Sequence, residues 1–278
     1  MSLHIAFQGE HGAYSEQAIQ RYFINEKINT QPCSSFEHAL SYVSEHKSDL
    51  VMLPVENSVA GSVISAYDAL LKYNLCIHQE IVLKVQHCLL ANKGVKLEDI
   101  CEVRSHEQAL SQCQKSIQQL SLVPKRFSDT AGAAKYIAEK KVNNEGAIAS
   151  ELAAKTYGLD ILRYHFEDES FNYTRFFLLG RQALELAFDP EKRYKTSIVF
   201  ATLDKPNALV QVLSCLSDNG INMTKIESRP SRSRAWECIF FVDFEGHDSE
   251  EHIQTALLMI LKRTSFLKNL GCYQSTYV

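Results

Sequence analysis

Residues 77–91, IHQEIVLKVQHCLLA, decide the fold. They read as one long, largely apolar extended segment, with Gln86 and His87 interrupting it. So long a segment is expected to cross from one lobe to another. Upstream, Ile5 to Phe7 reads as a strand, and Tyr14, Ala18, Ile19, Tyr22 and Phe23 share one face of a helix. A capping box from Ser34 to Glu37 opens the next helix, with Phe36, Ala39, Leu40 and Val43 at helical spacing. Leu50 to Leu53 is a buried strand, and beyond the turn from Pro54 to Gly61 a stripe of Val63, Tyr67, Leu70 and Leu71 is helical. Downstream come a strand near Cys101 to Arg104, one helix carrying Leu110, Cys113, Ile117 and Leu120, and a strand at Leu122 to Phe127. A helix from Thr130, a strand at Gly146 to Ala149, a helix from Ser150 and a returning strand, Tyr173 to Leu179, complete the series. Ser105 with Gln108 reads as a second capping box, and Asp129 as a cap. The alternation predicts an α/β region of two lobes with mainly parallel sheets, which bind ligands at the carboxyl ends of their strands.

Residues 181–194, with Asp189 and Pro190 among charges, have no periodicity and form the expected linker. Thr196 to Leu203 is then a strand, and Leu209, Val212, Leu213 and Leu216 make a helix ending at Asn219 and Gly220. Ile221 to Ser228 is the next strand, and Trp236, Cys238, Phe240, Val242 and Phe244 alternate as a third. Ile253, Ala256, Leu257, Ile260 and Leu261 mark a helix, and Leu267 to Tyr273 closes the set. The order βαββαβ is that of a ferredoxin-like unit. Residues 1–185 and 195–278 are the two expected domains.

Composition narrows the function. With 278 residues, 45% of them hydrophobic and 22% charged, the chain is an ordinary globular protein. A formal charge of −4 gives no basic surface for nucleic acid. No run reaches the ~20 apolar residues of a membrane helix, and the N-terminus enters a strand with no leader, so the expected location is cytoplasmic with no membrane partner. The eight cysteines never approach C-x-x-C spacing and read as reduced core thiols. The histidines form no H-E-x-x-H, and no glycine-rich nucleotide loop is present, so neither metal nor cofactor is expected.

Two turns join a strand to polar groups at a helix start: Gly9 to Ser15, and Pro54 to Ser58. Either suits a carboxylate, through free N–H groups and the positive helix end; either is also explained by glycine turns and by Ser15 or Ser58 as caps. Ser105 and Asp129 are likewise satisfied as caps, and Gln112, about two turns past Ser105 and near the same helical face, fits a solvent-facing position as well as a pocket. Arg175 interrupts an apolar strand; such arginines usually sit on a solvated face, yet here aromatics occupy both neighbouring parities. His87 reads more readily as a structural histidine than as a catalyst.

The stretches FQGEHGAYSEQA from Phe7, LPVENSVAGSV from Leu53, SHEQALSQC from Ser105, DTAGAA from Asp129 and NYTRFF from Asn172 resemble, in order and spacing, the prephenate dehydratase family. Residues 196–275 resemble an ACT domain, with NALV at Asn207 and ESRP at Glu227 where regulated members carry phenylalanine-binding motifs; the first motif usually begins with glycine, so Asn207 is a departure. The resemblance implies a two-lobed, periplasmic-binding-protein-like catalytic region that converts prephenate to phenylpyruvate, water and CO2 in phenylalanine biosynthesis, as a decarboxylating carbon–oxygen lyase without a cofactor. It implies that Thr174 donates a hydrogen bond to the departing oxygen, and that Arg175 holds a substrate carboxylate. Glu56, Asn57, Ser105, Gln112 and Phe176 are then expected at the cleft. Allosteric inhibition by phenylalanine would use Asn207, Ala208, Leu209 and Val210 with Glu227, Ser228, Arg229 and Pro230, between two ACT domains of a homodimer or homotetramer. Arogenate dehydratase is the near alternative, because QG-x-x-GAYSE and DTAGAA also resemble enzymes that use the aminated substrate. A non-catalytic amino-acid sensor is the distant one, since fold does not fix function.

Overall fold

The computed structural model describes residues 2–202, 205–231 and 237–276, so Leu203 and Trp236 of the expected strands lie outside the described residues. The first lobe contains β1 (Leu3–Gln8), α1 (Tyr14–Tyr22), β2 (Ile28–Cys33), α2 (Phe36–Ser44), β3 (Leu50–Asn57), the short β4 (Gly61–Ser62), α3 (Ile64–Leu70) and β5 (Cys76–Lys84). The chain passes through residues 85–87 into β6 (Cys88–Ala91), which belongs to a different sheet. The crossover expected within 77–91 is therefore present. The second lobe continues with β7 (Glu102–Ser105), α4 (Glu107–Gln112), α5 (Gln114–Gln119), β8 (Val123–Arg126), α6 (Thr130–Lys140), β9 (Glu145–Ala149), α7 (Glu151–Tyr157) and β10 (Asp160–Arg163). β11 (Tyr173–Gly180) returns to the first sheet, of order β2-β1-β3-β11-β5; the second has order β10-β6-β9-β7-β8.

β1 is parallel to β2 and β3, and β7 to β8 and β9. β6 runs antiparallel to both β9 and β10, so the second sheet is mixed and not mainly parallel. β6 arrives from the other lobe with no helix before it, so no βαβ unit dictates its direction. β2 and β10 escaped the sequence reading because INTQPC and DILR are edge strands with little apolar run. The stripe from Leu110 to Leu120 is two helices meeting at Cys113, where φ is −118°.

Caps shift by one residue from expectation at two places. Ser35, not Ser34, accepts from the His38 N–H at 3.1 Å. His106, not Ser105, caps α4 by accepting from Gln108 N–H at 3.3 Å. Asp129 caps α6 as expected, accepting from Gly132 N–H at 2.6 Å. Of the cysteines, Cys33, Cys88, Cys113, Cys215 and Cys272 are buried, whereas Cys101 and Cys238 are exposed and do not belong to a core.

The C-terminal part comprises β12 (Tyr194–Thr202), α8 (Ala208–Ser217), β13 (Met223–Pro230), β14 (Cys238–Glu245), α9 (Glu251–Leu261) and β15 (Thr264–Gln274). Its antiparallel sheet of order β13-β14-β12-β15 is ferredoxin-like. Ile198, Phe200, Val242 and Phe244 from alternate strand positions close on Val212, Leu216, Ile253 and Ile260 of the helices. The chain separates into two compact units: Met1–Tyr73 with Ile81–Phe176, and Asn74–Glu80 with Phe177–Val278. Among the described residues no helix is long and apolar enough to cross a membrane.

Candidate active site

Within the first unit a cavity of about 500 Å³ is lined from both lobes. Both crossovers contribute to it: Val85 N–H donates to Asn172 O at 2.8 Å, so residues 85–87 and the segment entering β11 run side by side. That contact brings together polar groups far apart in sequence. Asn57 Nδ2 donates to Asn172 Oδ1 at 2.7 Å and approaches Tyr173 O at 3.1 Å and Thr174 Oγ1 at 3.0 Å. Asn57 Oδ1 accepts from Val59 and Ala60 N–H at 3.1 and 2.9 Å. Asn172 Nδ2 reaches Gln112 Oε1 at 3.0 Å, and Gln112 Nε2 reaches Asn57 Oδ1 at 3.4 Å. Three amides thus bond to one another, and the Asn57 amide also meets the Thr174 hydroxyl.

Of the expected residues, Asn57, Gln112, Thr174 and Phe176 line the cavity. Strand alternation explains the split: Thr174 and Phe176 share one parity of β11, and Arg175 has the other. Arg175 lies near Glu56, nitrogen to oxygen 3.8 Å, and neither is among the lining residues. Ser105 is fully buried and donates to Ile148 O at 2.6 Å, so it anchors the sheet and shares no helical face with Gln112.

On the other side of the cavity stand His87, read from the sequence as structural, and Tyr14 of the first polar turn. His87 is 2% exposed, with Nε2 2.9 Å from Gln112 Oε1 and Nδ1 2.7 Å from the Tyr14 hydroxyl. Burial pushes its pKa below that of an ordinary histidine, against the opposing effects of the Gln112 bond and the Glu167 carboxylate. Burial, with the Cys88 and Cys113 thiols and Glu167 nearby, holds the Tyr14 phenol well above its usual range. Cys88 itself is pushed up to about 12, chiefly by burial, and is no nucleophile at neutral pH.

The turn Gly9 to Ser15 supplies a different element. α1 begins after Ala13 with no side-chain cap, so its first-turn N–H groups face outward unpaired by a side chain. Ser15, 6% exposed, lines the cavity, and its hydroxyl makes no protein hydrogen bond among the described residues. Neither serine caps a helix: Ser58 Oγ donates to Phe171 O at 2.6 Å and accepts from Tyr173 N–H. In the second unit, His247, Asp248 and Cys272 bring ligand-type atoms within 4.8 Å. His247 Nδ1 already accepts from Ser249 N–H at 3.1 Å and its Nε2 faces Leu186 O at 3.0 Å, so the ring is used structurally.

Comparison with known proteins agrees with this architecture. The family model for prephenate dehydratase matches residues 5–184. The Arabidopsis thaliana protein named arogenate dehydratase/prephenate dehydratase 2, chloroplastic, is 41% identical over 278 residues, covering 97% of this chain and 72% of its own. Among solved structures, GqqA, described as a novel type of quorum quenching acylase, superposes with a TM-score of 0.90 at 34% identity over 98% of each chain. The Arthrobacter aurescens prephenate dehydratase in complex with L-Phe superposes at 0.89 with 28% identity, over 98% of this chain and 90% of the other. On the matched residues and the near full-length identity, this chain belongs to the prephenate dehydratase family.

Proposed function

We infer that the chain is a prephenate dehydratase in which the Thr174 hydroxyl assists departure of the ring oxygen. One observation carries the reading: Thr174 Oγ1 accepts from the Asn57 amide and has no acceptor for its own proton among the described residues, while its side chain lines the cavity. In the reaction the bond from ring carbon to carboxylate breaks and releases CO2. Its electron pair enters the ring, the ring C–O bond breaks, and hydroxide leaves and takes a proton to become water. Charge develops on that oxygen, and a hydroxyl donor aimed at it lowers the barrier. A threonine hydroxyl is too weak an acid to end as an alkoxide, so it donates a hydrogen bond while the proton balance comes from solvent. The retained carboxylate is assigned to the first turn of α1 with Ser15 Oγ. Phe36, Val63, Val85 and Phe176 form a poorly solvating wall for the carboxylate that departs.

Prephenate is favoured over arogenate by charge. Asp129 is the sole carboxylate among the lining residues, and it is committed to capping α6 and to Ser128 Oγ at 3.2 Å. An aminated substrate would have to share that carboxylate with the helix cap. Thr174 is not placed to act as an acyl-transfer nucleophile, since the neighbour of its Oγ1 is an amide, which cannot take a proton.

Residues 1–185 are assigned as the catalytic domain and 195–278 as an ACT domain that binds phenylalanine. Asn207 has φ +67°, a left-handed conformation that asparagine tolerates better than other side-chain-bearing residues, which accounts for Asn where the motif usually has Gly. β13, which carries Glu227 to Pro230, is an edge strand, and Val210 and Ile226 are exposed apolar groups. These features suit a phenylalanine site completed by a second copy, in a homodimer or homotetramer. The relative from Arthrobacter aurescens holding L-Phe supports the effector's identity. The test is to incubate the purified protein with prephenate and with arogenate, each with and without phenylalanine, and to follow phenylpyruvate and phenylalanine formation. Higher kcat/KM for prephenate and inhibition by phenylalanine are expected; no turnover of either substrate would overturn the assignment.

A further inference from the structure

The orientation of each amide around Thr174 follows from two backbone donors. Val59 and Ala60 N–H both point at one atom of the Asn57 side chain, so that atom is oxygen and the other is nitrogen. The nitrogen faces Asn172 at 2.7 Å, so the Asn172 atom it meets is oxygen. The Asn172 nitrogen is then the atom 3.0 Å from Gln112, which must present its own oxygen. That oxygen also lies 2.9 Å from His87 Nε2, and two acceptors cannot share such a contact. His87 Nε2 therefore carries a hydrogen. A neutral imidazole so protonated has its lone pair at Nδ1, 2.7 Å from the Tyr14 hydroxyl, whose single proton is shared between that nitrogen and Gln86 O at 3.0 Å. From Asn57 through Asn172 and Gln112 to His87 Nε2, each donor and acceptor points in one direction.

We propose that His87 is a positioning residue: the Val59 and Ala60 N–H groups pin the amide network at Asn57, and the His87 Nε2–H pins its other end by holding Gln112 Oε1 toward Asn172, so that Asn172 Oδ1 stays on the Asn57 amide that meets Thr174 Oγ1 and the threonine proton is left to the cavity. Without that donor the Gln112 amide is free to flip. Its nitrogen would then face the Asn172 nitrogen, and an Asn172 that turned in response would set its own nitrogen against that of Asn57, which the two backbone donors hold in place, pushing the contact with Thr174 out of line. His87 acts through other side chains and needs no contact with substrate. This inference rests on the reading of Thr174 given above.

The test separates the two. The amide nitrogen of a glutamine at position 87 reaches the place of Nε2, whereas that of an asparagine reaches only the place of Nδ1. His87→Gln is expected to keep kcat within about fivefold of wild type, while His87→Asn and His87→Leu lower kcat by about 10–100-fold with KM changed less than about threefold. Independently of activity, the imidazole nitrogen shifts of the wild-type protein should show Nε2 protonated and Nδ1 bare at neutral pH. An Nδ1–H tautomer, or full kcat in folded His87→Asn, would overturn the positioning role. Loss of activity in Thr174→Val with full activity in His87→Asn refutes this inference alone; full activity in Thr174→Val refutes the reading on which it rests.

Discussion

Thr174→Val removes a hydroxyl while keeping the branched shape of the side chain, and the structure allows its two costs to be worked separately. Asn57 Nδ2 loses one of three neighbouring acceptors but retains Asn172 Oδ1 at 2.7 Å and Tyr173 O at 3.1 Å. The stability cost is therefore that of one hydrogen bond without an orphaned donor, about 0.5–1.5 kcal/mol. The catalytic cost is that of one preorganised donor aimed at developing oxygen charge, about 10²–10³ in kcat, or about 3–4 kcal/mol of barrier. The two numbers differ enough to be told apart. Phenylpyruvate absorbance gives kcat for wild type, Thr174→Val and Thr174→Ser, and urea unfolding gives stability for the same three proteins. Serine restores the donor with greater rotational freedom and should fall between the others. If folded Thr174→Val turns over prephenate within about tenfold of wild type, less than removal of such a donor costs, the hydroxyl is not the group that assists the leaving oxygen.

Gly12 has φ +89°, and a Cβ there would meet the Ala153 Cα at 2.7 Å, so Gly12→Ala combines backbone strain with overlap against α7. Together these should cost about 2–5 kcal/mol, seen as a lower urea midpoint; an unchanged midpoint would mean that the turn does not pack on α7 as described. Asn207→Ala should lose about 1 kcal/mol because alanine resists the left-handed conformation, and Asn207→Gly much less; equal stability of all three proteins would argue against that conformation. For His87, burial sets the folded pKa below the unfolded value despite the Gln112 bond and Glu167. The unfolded chain then binds the proton first, so stability is full above the unfolded value of about 6.5 and is lost as pH falls from there toward the folded value. His87→Gln should flatten that part of the stability profile, and an identical pH dependence in the two proteins would contradict a neutral buried ring.

The fold was legible wherever local period and turn chemistry agree. The apolar runs at Ile5, Leu50 and Gly146, the alternation from Cys238 to Phe244, and the cap at Asp129 each carry their own signal within a few residues. β2 and β10 carry none, because an edge strand buries one side at most and needs no apolar run. The caps fall one residue from expectation because neighbouring polar residues are equally able to cap: Ser34 beside Ser35, Ser105 beside His106. In Ser105 the hydroxyl is drawn instead to Ile148 O by the parallel placement of β7 beside β9, a long-range fact with no local trace.

The candidate site was legible as a set of motifs but not as a geometry, and the reason lies in parity. Thr174 and Arg175 are adjacent, and so are Glu56 and Asn57, so each pair must present its members to opposite sides of a strand. Since Phe176 and Phe177 give β11 a large aromatic on both sides, hydrophobic pattern does not say which side meets the cavity; only the sheet order, with β11 beside β3, decides for Thr174 and Asn57. His87 poses the opposite problem, for its surroundings QHCLL do read as buried strand, and a buried histidine is ordinarily explained by a satisfied hydrogen bond. That explanation is correct here and incomplete. The bond that satisfies His87 leads to Gln112, and from there amide by amide to Thr174, because the two crossovers lie side by side. A structural histidine and a residue that sets the direction of a catalytic proton are, in this network, the same side chain, and only the kcat of glutamine against asparagine at position 87 tells how much of its role is each.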